Sequence, residues 1–79
     1  MNACEVARFE LWNSMADLNE DKWGEQDVET LLLAMQEELG ELTQAHLEAR
    51  AEGGDPARIR DELDDLAALC IQLNRRLRR

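Results

Sequence analysis

The stretch Glu37-Glu38-Leu39-Gly40-Glu41-Leu42 is echoed 24 residues later by Glu62-Leu63-Asp64-Asp65-Leu66, so that acid, leucine, spacer, acid and leucine follow one another twice. Residues three apart are neighbours on one face of a helix, which makes Glu38 with Glu41, and Glu62 with Asp65, two carboxylate pairs beside leucines that seek a core. Gathered on one surface, four carboxylates repel one another at a cost of about a few kcal/mol, or with raised pKa values, unless cations intervene. No Lys or Arg occurs between Trp23 and Ala49, nor between Asp61 and Asn74. The i,i+4 Glu–Lys support of a solvated helix is therefore missing, and a bound metal is the natural counterion. Ligation by carboxylate oxygens alone selects hard ions, Mg²⁺ or Mn²⁺, over zinc, which prefers His or Cys. Magnesium usually keeps some waters and recruits phosphates, which points to phosphate-ester or phosphoanhydride chemistry. The competing reading is an acidic helix face that only meets water.

The elements that must position these pairs follow from punctuation and period. Gly53-Gly54-Asp55-Pro56 is the strongest break, and a weaker one spans Asn19 to Asp27, where Lys22-Trp23-Gly24-Glu25-Gln26 interrupts the helical pattern and Asp27 offers a cap. Helices are predicted over about residues 3–18, 28–52 and 56–77, with no alternating run that reads as a strand. The second carries the seam Val28, Leu32, Met35, Leu39, Leu42, His46 and Ala49, and the third carries Ile59, Leu63, Leu66, Cys70, Leu73 and Leu77, both at heptad spacing. The short connection folds these two back as an antiparallel pair. The fold class is all-α: a helical hairpin plus an N-terminal helix whose apolar side (Val6, Phe9, Leu11, Trp12, Met15, Leu18) covers the hairpin or a partner subunit. Rows flanking the two seams, Leu31-Ala34-Glu38-Glu41-Ala45 and Glu62-Asp65-Leu69-Gln72-Arg76, then fall on the same side of the pair. The four carboxylates converge there with a stagger of ~6 Å along the axes.

At 79 residues the chain is a single domain whose lone core is marginal, which predicts homo-oligomers. Eighteen acidic against nine basic side chains leave a net charge of −9, which argues against a partner that is a nucleic acid polymer. The two cysteines, Cys4 and Cys70, form neither a disulfide framework nor a zinc motif. There is no apolar run long enough for a membrane span, and the N-terminus lacks the pattern of a signal peptide, so the expected location is cytoplasmic.

The spacing Glu37-Glu38-x-x-Glu41, then Glu62-x-x-Asp65 after a gap of 20 residues, resembles the signature of the MazG-like, all-α nucleoside triphosphate pyrophosphohydrolases, a superfamily that also includes dimeric dUTPases and phosphoribosyl-ATP pyrophosphatases. The likeness covers roughly residues 23–74. It implies that Glu38, Glu41, Glu62 and Asp65 hold Mg²⁺, with Glu37 at the edge of the site. It further implies that an NTP or dNTP is hydrolysed to the monophosphate and pyrophosphate, by homodimers or homotetramers built around four-helix cores. In that chemistry Glu38 or Glu41 orients or deprotonates the attacking water. The rival from another class is a non-catalytic helical oligomerisation or interaction module that retains the bundle.

Other residues divide between site and scaffold. Trp23 stands where some MazG-like members have a similar Trp-Gly-Glu-Gln segment, and it either stacks on a nucleobase or anchors the loop on the core. Arg76, on the row of Glu62 and Asp65 and within the basic tail Arg75 to Arg79, either reaches the triphosphate or complements the helix dipole. His46, Met35, Cys70, Phe9 and Trp12 read as packing, and Glu48, Glu52, Asp61 and Asp64 as solvated surface.

Overall fold

The computed structural model describes residues 1–78 and is all-helical over them, with α1 at Ala3–Trp23, α2 at Val28–Ala51 and α3 at Ala57–Leu77. Arg79, the last residue of the basic tail, lies outside the described residues. Each start has a local cause. The Asn2 side chain accepts from the Glu5 amide at 2.9 Å and the Asp27 side chain from the Thr30 amide at 2.8 Å, each satisfying a donor that the first turn leaves unpaired. Asp55 accepts from the Ala57 amide at 2.9 Å, and Pro56 sits at the cap position with φ near −59°, so α3 begins one residue later than the sequence suggests.

α1 is five residues longer than expected. Nothing between Asn19 and Trp23 stops a helix, and the chain leaves it at Gly24, which adopts φ +75° and donates its amide to the Glu20 carbonyl. The hairpin turn is tight at Gly54, whose amide donates to the Glu48 carbonyl at 3.0 Å and where a Cβ would lie 3.2 Å from Glu48 backbone and side-chain carbons.

α3 is the shared element. It packs against both other helices, whereas α1 and α2 do not pack on each other. α2 and α3 run antiparallel, pinned near the turn by a 2.7 Å ion pair from Arg58 to Glu48. α1 runs parallel to α3, because Trp12 meets Asp64, Asn19 meets Gln72 and Glu20 meets Arg75 in the same order along both chains. The result is a slab of about 43 × 31 × 20 Å with a radius of gyration of 13.7 Å, against roughly 12 Å expected for a compact chain of this length.

The packing differs in phase from the predicted seams. On α2 the side chains shut away from water are Leu31 and Ala45, while Leu32, Leu39 and His46 are exposed and Val28, Met35, Leu42 and Ala49 half-buried. The stripe facing α3 is therefore centred on Leu31, Glu38 and Ala45, about a hundred degrees around the helix from Leu32, Leu39 and His46. His46 is a surface residue. On α3, Ile59, Leu63, Leu66 and Leu73 are half-buried as expected of a seam, but Cys70 and Leu77 are exposed. Phe9 is also largely exposed, stacked edge-on against Trp12 with 5.0 Å between ring centroids.

The α1–α3 interface is a polar ladder with small residues between its rungs. Asp64 is buried: its carboxylate accepts from Trp12 Nε1 at 2.8 Å and from Arg8 Nη1 at 3.0 Å. Ala16 and Ala68 are fully buried, the Asn19 amide donates to Gln72 at 2.9 Å, and Arg75 reaches both Asp17 and Glu20. This corrects the assignment of Asp64 to solvated surface, since the only local cue is an acid among acids and its partners lie more than 50 residues away. Trp12 is likewise a hydrogen-bond donor as well as packing. Asp64→Ala, which leaves the indole N–H and the guanidinium without their acceptor, is expected to lower stability by about 2 kcal/mol in urea unfolding. Asp61→Ala, at an exposed neighbour, is expected to shift it by less than about 0.5 kcal/mol.

Candidate functional site

The hairpin brings the two acidic motifs together. One carboxylate oxygen from each of Glu38, Glu41 and Glu62 falls within a group no wider than 4.8 Å. Asp65 is not part of that tight group and stands beside it, lining with Glu38 an open cleft of about 570 Å³ whose other walls are Asn19, Trp23, Gln26, Ala34, Glu37, Leu69 and Gln72. Three of the four expected acids thus meet, and the fourth is set one step along the groove.

Electrostatics record the crowding. The Glu38 carboxyl is pushed up to about 8, first by burial, then by its contact with Glu62 and by the negative charges of Glu41, Asp65 and Glu62. Glu41 is raised first by its contact with Glu62 and then by that residue's charge, and Asp65 first by burial and then by Glu62, Asp61 and Asp64. Glu38 Oε2 and Glu62 Oε2 are closed off from water and have no hydrogen-bond partner. Buried polar atoms are nearly always satisfied, so two carboxylate oxygens without a partner in one cluster leave room there for a donor, such as a proton shared between Glu38 and Glu62, or for a cation. Among the described residues the ion pairs of Arg8, Arg58 and Arg75 go to Asp64, Glu48, Asp17 and Glu20, and none goes to the cluster. The donor set, all carboxylate and partly shielded, fits a hard divalent cation.

The remaining sequence candidates separate. Glu37 is exposed and lines the cleft, at the edge of the carboxylate group. Trp23 also lines it, from the last turn of α1 and not from a loop, with 63% of its surface open to solvent and the Lys22 ammonium 4.9 Å from its ring centroid. It does not anchor on the core, and a ring that exposed beside a cleft presents a face for stacking. Arg76 is not on the cleft: it lines a small separate recess with Glu20, Glu25, Leu31 and Arg75, and only Gln26 and Gln72 border both.

Asn19, Gln26 and Gln72 were not singled out from sequence. Gln72 and Leu69 share the row of Glu62 and Asp65, which was a usable signal, whereas Asn19 fell in a stretch read as a helix break. Gln72 is buried while accepting from Asn19, so the cleft has an amide pair beyond Asp65 on the same face of α3. Comparison with known protein families, characterised proteins and solved structures finds no match to this chain.

The raised carboxyls fix the sign of a pH effect. An acid whose pKa is higher folded than unfolded binds more protons in the native state, so its stability contribution is complete below the unfolded value and is lost as pH rises through the folded one. For Glu38 that window runs from its ordinary 4.5 to about 8, with Glu41 and Asp65 acting in the same direction. Asp27, held down by the Thr30 amide, changes protonation at the acid end and does not oppose this trend. With divalent ions chelated, the melting temperature is expected to fall from pH 5 to pH 8. Glu38→Gln is expected to flatten that slope and to be more stable than the parent at pH 8, as read by circular dichroism.

Proposed function

We propose that this chain is a Mg²⁺-dependent nucleotide pyrophosphohydrolase of the MazG-like type, converting an NTP or dNTP to the monophosphate and pyrophosphate. The observation that carries the reading is the carboxylate group of Glu38, Glu41 and Glu62, with its two shielded and unpartnered oxygens, joined through Glu38 to a cleft large enough for a nucleotide. Mg²⁺, or Mn²⁺ in its place, would be held by these three with Asp65 adjoining, and would neutralise the phosphate oxygens of the substrate. The protein's own groups then have distinct tasks. Glu38 or Glu41 holds and orients the attacking water, Glu37 borders the phosphate end, and Trp23 offers its exposed face to the base. The Asn19–Gln72 amide pair supplies polar contacts further along the same wall.

The free cysteines Cys4 and Cys70 suit a reducing cytoplasm, and no helix among the described residues is long and apolar enough to cross a membrane. Assembly into homodimers or homotetramers is part of the proposal. It is supported by eleven large apolar side chains that remain exposed among the described residues, against one, Leu31, that is fully buried. The same exposure is what favours the second reading, a non-catalytic oligomerisation module.

An assay of pyrophosphate release over a panel of NTPs and dNTPs with Mg²⁺ separates the two. Turnover is expected, and Glu38→Gln or Asp65→Asn is expected to reduce it by about 100-fold or more with helix content unchanged. Mg²⁺ at 100 times its Kd is expected to add ~2.7 kcal/mol of stability in the parent and little in Glu38→Gln. No turnover on any nucleotide, together with no stabilisation by Mg²⁺ or Mn²⁺, overturns the enzymatic reading in favour of the module.

A further inference from the structure

The side of α2 turned away from α3 carries an arc of side chains that nothing in the chain covers. From Leu32 to Leu47 this arc holds no Asp, Glu, Lys or Arg, and Leu32, Leu33, Leu39 and Leu47 are all substantially exposed on it. At its middle is Gly40, inside a helix, where an added Cβ would have nothing within 4 Å. A mid-helix glycine costs about 1 kcal/mol relative to alanine, and no group of this chain occupies the space it leaves.

The spacing of the arc is symmetric about the Leu39–Gly40 bond. Leu32 and Leu47 are equidistant from it, as are Leu33 and His46, and Gln36 and Thr43. The symmetry extends to the ends of the helix, where Glu29 and Arg50 are also equidistant, of opposite charge, exposed, and outside the ion pairs formed among the described residues. Even spacing is common to any single stripe of a helix; what is particular here is the self-complementary pairing of Glu29 with Arg50 and of Leu39 with Gly40. It is what a two-fold contact requires, in which residue i meets residue j and j meets i.

We infer that a second copy of this chain packs on the outer face of α2, antiparallel and related by a two-fold axis at the Leu39–Gly40 bond, with Leu39 of each copy seated in the gap at the partner's Gly40. In that register Leu32 lies against the partner's Leu47 and Leu33 against the partner's His46, along about 22 Å of helix. Glu29 meets the partner's Arg50 at both ends, so that the charges complete an otherwise uncharged strip. The contact is on the far side of α2 from the carboxylates, and it stands independently of the activity proposed above, because its test reads mass and not turnover.

Sedimentation equilibrium of the full chain is expected to give a dimer at roughly 100 μM. Gly40→Leu meets no obstacle within its own chain and favours helix, yet it fills the gap that Leu39 needs. It is expected to keep or raise helix content while weakening the dimer at least about tenfold. Glu29→Arg and Arg50→Glu are each expected to weaken it roughly threefold, and the double swap to restore the parent value, without touching the apolar strip. A monomeric parent, an unchanged dimer in Gly40→Leu, or a double swap no tighter than the single variants overturns the inference.

Discussion

α3 must serve two neighbours that do not pack on each other, and the different fates of its two adjacent aspartates follow from that. Asp64 and Asp65 are adjacent in sequence and differ by about a hundred degrees of rotation. The first points at α1, where an indole N–H and a guanidinium satisfy it. The second points toward α2, where burial and other acids raise its pKa. One aspartate is saturated with donors and the other is starved of them, although nothing in the tripeptide around them differs in kind. The grip of Arg8 and Trp12 fixes the rotation of α3, and that rotation is what presents Glu62 and Asp65 to Glu38.

A slab of three helices also explains why the carboxylates stay partly shielded in so small a protein. Two helices alone would leave the groove open along its length. Because α1 lies against the opposite flank of α3 and runs on to Trp23, its last turns reach over the end of the groove and turn it into a cleft. The helix that contributes no acid therefore contributes the wall. Leu31 and Ala45, a turn or two on either side of Glu38 along the same face, hold α2 close enough that the repulsion among the acids cannot be relieved by separation. Protonation, a cation, or rotation of the exposed Glu41 side chain into water then relieves it.

The helix count, the hairpin and the convergence of Glu38, Glu41 and Glu62 were legible in the sequence, because breakers mark the turn and each acid pair recurs at the same offset. The phase of α2 was not. Its apolar residues occupy two stripes, one through Leu31 and Ala45 and one through Leu32 and Leu39, and a heptad pattern does not say which faces the chain's own partner and which faces outward. The longer, more leucine-rich stripe looks like the core and is the exposed one. The end of α1 was misplaced for a related reason: Asn19 and Glu20 face α3 through polar partners, Gln72 and Arg75, and the polar run they begin imitates a helix end. Asp64 had no signal at all, since its role depends on residues 52 and 56 positions away.

α2 thus has three unlike faces set side by side around its circumference. One face is pressed to α3, one lines the cleft with Ala34, Glu37 and Glu38, and the third is the uncharged arc. The acids that crowd the first two are absent from the third over its whole apolar length, although acids make up nearly a quarter of the chain. Their absence from the one face that neither the fold nor the cleft uses is what the proposed two-fold contact requires, because a carboxylate is tolerated where a counterion can reach it and costly where an apolar surface closes.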